Sequence, residues 1–113
     1  IELKFPRSGQ YPEQMFKACQ DLAFLEELVS AGFDGGLFLM AADDRLFYEG
    51  SDRGGLYSCF RAGRPICGPI SKPTGDRNAC VTIRGKYTLI WREANAMRYS
   101  YIAVNRSEMS TDG

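Results

Sequence analysis

The sequence predicts an α+β fold in which one long amphipathic helix packs on a mixed sheet and an antiparallel C-terminal meander follows. Three observations lead to this prediction. Residues 1–6 alternate between apolar and charged side chains, which is typical of a half-buried strand. A helical repeat of apolar residues occupies 13–31. The continuous apolar run 37–42 has the length and composition of a buried central strand.

The opening strand places a carboxylate and an ammonium on the same face. Ile1, Leu3 and Phe5 alternate with Glu2 and Lys4, and the proline that follows ends the strand because it has no N–H to donate. The Cα atoms of residues two apart in a strand are about 6.6 Å from each other. A carboxylate can hold a divalent cation while a neighbouring ammonium orients a water molecule. Glu2 and Lys4 are therefore candidates for metal-assisted attack on a phosphodiester, and the alternative is an ordinary solvated strand face.

The long helix is predicted over Glu13–Ala31. Pro12 suits the first helical position, and Gly32 suits the position just beyond the end of the helix. Phe24 lies beside the apolar stripe and is expected to widen the buried face. The stripe itself recurs at spacings of three and four, through Met15, Phe16, Cys19, Leu22, Ala23, Leu25, Leu28 and Val29.

The chain beyond the buried run is predicted to be rich in strands. Short strands are expected at Leu46–Tyr48 and Leu56–Phe60, and the segment 62–78 is expected to be an extended loop because it is rich in Pro and Gly. The meander is then predicted as strands Cys80–Ile83, Lys86–Trp91 and Arg98–Val104, with turns at Arg84–Gly85 and Ala94–Ala96. We expect one domain over 1–106, made of a strand–helix–strand unit at 1–45 and a β-rich extension at 46–106, with a flexible tail at 107–113.

Composition excludes several classes of chemistry. The 113 residues are 44% apolar and 25% charged, as in ordinary globular proteins, and the chain contains no histidine. The absence of histidine removes imidazole-based acid–base catalysis and the common hydrolase triads. The four cysteines form no C-x-x-C pair, so a zinc site is not indicated. We expect reduced thiols in a cytoplasmic protein, and the alternative is a disulfide among Cys59, Cys67 and Cys80.

Charge is divided unevenly along the chain. Residues 1–44 contain eight acids and three bases, whereas residues 45–98 contain ten bases and four acids. This division favours a metal-binding end and a polyanion-binding end, although arginines also keep exposed strands soluble. The cationic candidates for nucleic-acid binding are Arg7, Arg84, Lys86 and Arg92. Four aromatic residues lie among these arginines and lysines in the sequence: Tyr87, Trp91, Tyr99 and Tyr101. They are expected to pack in the core, and the alternative is that they stack on the bases of a nucleic acid.

The order of the first elements resembles a known family. Glu2-Leu3-Lys4, followed by the helix Glu13–Ala31 and the strand Leu37–Ala42, resembles the later half of the PD-(D/E)XK nuclease core, the restriction-endonuclease-like fold. The resemblance covers about residues 1–45. It implies a Mg²⁺- or Mn²⁺-dependent endonuclease acting on DNA or RNA, with DNA the favoured partner. No membrane partner is expected, because no apolar run approaches the roughly 20 residues that a membrane helix needs.

The resemblance also implies roles for individual residues. Glu2 would be a metal ligand, the carbonyl group of Leu3 a second ligand, and Lys4 the group that orients the attacking water. In some branches of the family a Gln or Lys on the next helix also serves the site, which makes Gln14 and Lys17 catalytic candidates.

The other acidic ligand of the family lies on a strand upstream of Glu-x-Lys, and this sequence begins at Ile1. We therefore expect a core truncated at its N-terminus, and we expect the 113 residues alone to be inactive or nearly so. A homodimer or a missing N-terminal segment would complete the fold. The alternative function is a non-catalytic module that binds a protein or a nucleic acid through the arginine-rich meander.

Overall fold

The computed structural model describes residues 2–4 (backbone only), 11–42, 47–49, 54–72, 79–94 and 97–105. In chain order the elements are β1 (Glu2–Lys4), α1 (Tyr11–Ser30), β2 (Gly36–Ala42), α2 (Gly55–Arg61), β3 (Ile66–Ser71), β4 (Cys80–Tyr87), β5 (Arg92–Ala94) and β6 (Met97–Val104). Several of the sequence predictions lie wholly or partly outside the described residues: Arg7, Leu46 of the predicted strand 46–48, residues 73–78 of the predicted loop 62–78, residues 95–96 of the predicted turn 94–96, and the tail 107–113.

The strands form two sheets. A four-stranded sheet has the order β1-β2-β6-β5, and a separate two-stranded sheet pairs β3 with β4. Because β1 pairs with β2 in parallel while β6 is antiparallel to both of its neighbours, the larger sheet is mixed, as predicted. Helix α1 packs against strands of both sheets, so it forms the layer that joins them.

The predicted three-stranded meander is wrong, because β4 belongs to a different sheet from β5 and β6. The predicted turn at Arg84–Gly85 lies inside β4, which continues through it as one strand from Cys80 to Tyr87. The pairing there is irregular: Arg84, Gly85 and Lys86 stand opposite a single residue of β3. A glycine within a strand pattern can mark a bulge as well as a turn, and here it marks a bulge. β5 and β6 do pair as a hairpin, but its first strand is Arg92–Ala94 and not the predicted Lys86–Trp91.

Helix α1 confirms the predicted long helix and shows how it ends. The N–H of Phe33 donates to the carbonyl of Leu28, and the N–H of Gly32 donates to the carbonyl of Val29. Gly32 has a φ of +121°, which residues with a side chain rarely adopt. This paired arrangement is a Schellman motif, which satisfies carbonyl groups that the last helical turn leaves without partners. The prediction for Phe24 is wrong, because 52% of its surface is exposed.

The part of the chain between β2 and β4 differs from the sequence prediction in three places. The predicted strand Leu56–Phe60 is helix α2, and all five of these residues are buried. A short apolar run that is buried all round has no period by which a strand and a helix can be told apart. Phe47 and Tyr48 form a turn rather than a strand, and the predicted loop 62–78 contains strand β3.

Strand β2 lies between β1 and β6, in agreement with its prediction as a central strand. Phe38, Met40 and Ala42 are fully buried, and they alternate with residues that are only half-buried. Helix α1 covers the fully buried face, since a Cβ placed on Gly36 would lie 3.0 Å from a methyl group of Leu25. The predicted burial of this strand is therefore complete on one face only.

Candidate functional site

The Glu2-Leu3-Lys4 tripeptide makes up the whole of β1, at one end of the four-stranded sheet among the described strands. Its register pairs Glu2 with Phe38 and Lys4 with Met40. Parallel register partners belong to the same face of a sheet. Positions 2 and 4 therefore belong to the face on which α1 packs, and any ion held there would lie between the sheet and α1.

The two candidates on α1 differ in exposure. Gln14, in the first turn, is half-buried, whereas Lys17 is exposed. A role for either residue at a site on β1 stays a prediction. The neighbouring Glu13 forms an ion pair with Lys72, and its Oε1 lies 2.8 Å from Nζ of that lysine.

The described residues contain no cluster of three or more His, Cys, Asp or Glu side chains that could hold a metal ion. The candidate metal ligands, the Glu2 carboxylate and the Leu3 carbonyl, are both oxygen donors, which is the donor type that Mg²⁺ prefers. Two oxygens are fewer than the six ligands of an octahedral Mg²⁺ ion, so water or further protein groups must supply the others.

Within the described part of the chain, no helix is long and apolar enough to cross a membrane.

The cationic residues predicted to bind nucleic acid do not all lie on one sheet. Arg84 and Lys86 are exposed on β4 in the two-stranded sheet, whereas Arg92 is exposed on β5 in the four-stranded sheet. The Arg84 guanidinium is held against α1, since its Nη1 donates to Oγ of Ser30 at 2.5 Å. The arginine-rich meander predicted as a single binding surface is therefore divided between two sheets.

Two of the four aromatic residues among these basic residues follow the predicted core packing. Tyr87 is buried, and Trp91 is half-buried against the core, with its Nε1 donating to the carbonyl of Phe60 at 2.9 Å. The prediction is wrong for Tyr99 and Tyr101. Tyr99 is half-buried outside the core, and 51% of the surface of Tyr101 is exposed.

The sequence reasoning missed a buried acid on α1. Glu26 is only 1% exposed, and its carboxylate accepts three hydrogen bonds from β4. Oε1 accepts from the N–H of Arg84 at 2.8 Å, and Oε2 accepts from the N–H of Gly85 at 2.7 Å and from the hydroxyl of Tyr87 at 2.8 Å. Successive N–H groups of a regular strand point in opposite directions, and the bulge in β4 turns both toward Glu26. The available signal was the position of Glu26, four residues after Leu22 and within the apolar stripe.

A groove with a volume of about 430 Å³ lies between α2 and β3, and Cys59 and Cys67 both line it. Burial raises the pKa of the Cys59 thiol, and the nearby Arg64 guanidinium opposes that shift. Burial also raises the pKa of Cys19, on α1, to about 12. All four cysteines are free thiols, with Cys67 and Cys80 exposed. A raised pKa leaves little thiolate at neutral pH, so neither Cys19 nor Cys59 is suited to act as a nucleophile.

Comparison with known proteins finds no matching family model, no matching curated protein and no matching solved structure. The function of the chain must therefore be argued from its own residues.

Proposed function

We propose that this chain carries part of the active site of a divalent-metal-dependent nuclease, which hydrolyses phosphodiester bonds of DNA or RNA. The observation that supports the proposal is the β1–α1–β2 unit. Glu2, Leu3 and Lys4 occupy one strand, which is joined through α1 to a parallel neighbour. The order of elements is that of the later half of the PD-(D/E)XK core, which the sequence resembles.

The proposed roles follow from the chemistry of the three residues. The Glu2 carboxylate and the Leu3 carbonyl would hold Mg²⁺ or Mn²⁺, which supplies Lewis-acid stabilisation of the phosphodiester when it is bound. The Lys4 ammonium would orient the attacking water and stabilise negative charge on the phosphorus oxygens. Gln14, in the first turn of α1, would make a supporting polar contact.

A second acidic ligand would be needed for firm metal binding, and we propose that it enters beside β1. Among the described strands β1 has a partner only on the β2 side. A further strand pairing with its other edge would place a side chain beside Glu2, since neighbouring strands lie about 4.8 Å apart. Another segment or a second copy of the chain could supply that strand. We therefore propose that the 113 residues alone bind the ion weakly and have little or no activity.

The metal-binding part of the proposal can be tested on the chain itself. Mn²⁺ titration followed by electron paramagnetic resonance should detect weak binding that Glu2→Gln removes. Glu27→Gln is the matched control, because Glu27 is an exposed acid on α1. Equal Mn²⁺ binding by the wild type and Glu2→Gln would remove Glu2 from the site. Tight binding of Mg²⁺ or Mn²⁺ in an isothermal titration would contradict the expectation that the isolated chain is inactive.

The catalytic part is tested in a longer polypeptide that contains this chain and cleaves nucleic acid. Lys4→Ala should abolish cleavage of plasmid DNA or RNA in Mg²⁺ while far-ultraviolet circular dichroism shows that the variant is still folded. Arg64→Ala is the control, since it removes an exposed positive charge far along the chain from β1. Unchanged cleavage by the Lys4 variant would show that Lys4 has no part in the mechanism.

The second candidate function is a non-catalytic module that binds nucleic acid or a protein through its exposed arginines. It is supported by Arg84 and Arg92, which are exposed on strands. Salt-sensitive binding that weakens in Arg84→Ala or Arg92→Ala, together with no Mg²⁺-dependent cleavage by the longer polypeptide, would favour this function over the nuclease.

A further inference from the structure

The face of the four-stranded sheet opposite α1 is apolar and aromatic. On β2 it presents Leu37, Leu39 and Ala41, and on β6 it presents their register partners Ala103, Tyr101 and Tyr99. These six side chains are half-buried or exposed, whereas the residues that alternate with them are buried. Parallel strand pairs such as β1 and β2 are normally covered on both faces. The half-exposed leucines of β2 make this face a candidate binding surface.

The guanidinium of Arg92 lies over the ring of Tyr101 on this face. Arg92, on β5, is the register partner of Tyr99, and its guanidinium carbon lies 5.3 Å from the centre of the Tyr101 ring. Both side chains are exposed, so two planar groups, one of them cationic, face solvent together. The residues of the face named above include no acid, so nothing among them neutralises Arg92. By contrast, Arg98 has a carboxylate oxygen of Glu93 2.9 Å from its Nη2.

The positive charge of Arg92 favours one kind of binding partner for this face. A covering apolar helix, or a second copy placed face to face, would bury Arg92 without an acidic partner, and an uncompensated buried charge is strongly destabilising. A single-stranded nucleic acid avoids this penalty, because its phosphates pair with the guanidinium. Its bases stack on tyrosine rings and on guanidinium planes.

We propose that this face binds single-stranded nucleic acid, with Arg92 and Tyr101 as a base-stacking platform and Leu37 and Leu39 as its apolar floor. The proposal rests on the proposed function for the class of ligand, but it uses none of the same residues. Positions 2 and 4 belong to the opposite face of the sheet, through their register with Phe38 and Met40. The platform would hold a strand and would take no part in cleaving it.

The test measures binding in EDTA, so that no metal-dependent step contributes. Fluorescence anisotropy with a labelled oligothymidylate should show roughly tenfold weaker binding by Tyr101→Ala and near wild-type binding by Tyr101→Phe, which keeps the ring. Arg92→Ala should weaken binding and reduce the slope of log K against log salt by about one. Phe24→Ala is the matched control, since Phe24 is an equally exposed aromatic residue on α1.

The outcomes separate this proposal from the nuclease. Equal affinity in the wild type and Tyr101→Ala, tighter binding of a duplex than of the single strand, or a dimer that Tyr101→Ala disrupts would each overturn the platform. Lys4→Ala should bind the oligothymidylate as the wild type does. If the platform binds and Lys4 proves unnecessary for cleavage, the proposed active site fails while the platform stands.

Discussion

The hydroxyl of Tyr87 and the carboxylate of Glu26 meet at 2.8 Å in the interior, where strand β4 crosses helix α1. The same carboxylate oxygen accepts the N–H of Gly85 at 2.7 Å. This contact ties the two-stranded sheet to the helix that also covers the four-stranded sheet. No buried side-chain nitrogen or oxygen of the described residues lacks a hydrogen-bond partner, so Glu26 is fully accommodated where it lies.

Glu26→Gln should lower the free energy of unfolding by about 1–3 kcal/mol, because an amide nitrogen cannot accept hydrogen bonds and a buried backbone N–H would lose its partner. Urea denaturation followed by far-ultraviolet circular dichroism measures the change. Tyr87→Phe should be destabilising too, and the double variant should lose less than the sum of the two single losses because the residues share a hydrogen bond. Glu27→Gln, on the exposed side of the same helix, should change stability little. Strict additivity of Glu26→Gln and Tyr87→Phe would contradict the coupling.

Gly85→Ala should destabilise the fold by about 1–3 kcal/mol, because a Cβ at this position would lie 2.4 Å from the Tyr87 hydroxyl oxygen and 2.6 Å from Cζ of the ring. The free energy of unfolding measured in urea provides the test. In a Tyr87→Leu background the ring is absent, and the same alanine substitution should have a smaller effect. An equal loss in both backgrounds would show that the Tyr87 ring is not the reason for glycine at this position.

The buried thiol of Cys19 should make stability depend on alkaline pH. Burial raises its pKa from 9.0 to about 12, so the unfolded chain loses this proton at lower pH than the folded chain does. The stabilising contribution is complete below pH 9 and is lost as pH rises toward 12, with a limiting slope of about 1.4 kcal/mol per pH unit. Unfolding free energies across this range should fall less steeply in Cys19→Ala than in the wild type. Parallel curves for the two proteins would disprove the contribution.

A thiol-labelling experiment should separate the cysteines into two classes. Cys67 and Cys80 are exposed and should react rapidly with an aromatic disulfide reagent, whereas Cys19 and Cys59 are buried and should react only after unfolding. The double variant Cys67→Ser/Cys80→Ser should show no rapid phase under native conditions. Rapid labelling in that variant would mean that α1 or α2 opens readily.

The spacing of apolar residues was sufficient to predict the elements in which the pattern repeats several times. The spacing of apolar residues in α1 and the glycine that follows it predicted the helix and its end, because a helix of 20 residues repeats its pattern several times. It was insufficient for α2, where a short run buried on all sides reads equally well as a strand. Gly85 signalled an irregular backbone, but whether a glycine marks a turn or a bulge depends on the partner strand.

The sequence by itself determined the α+β class, the long helix, the central position of β2 and the presence of Glu2, Leu3 and Lys4 on an opening strand. Only the tertiary structure decided that β4 belongs to a different sheet from β5 and β6, and that Glu26 is the buried link between α1 and the bulge. It alone also decided that the Arg92 guanidinium lies over the Tyr101 ring, on the sheet face opposite α1. The physical reason is that local patterns fix the period of each element. Strand pairing and the partner of a buried charge depend on residues far away in the chain, and Glu26 lies 61 residues before Tyr87.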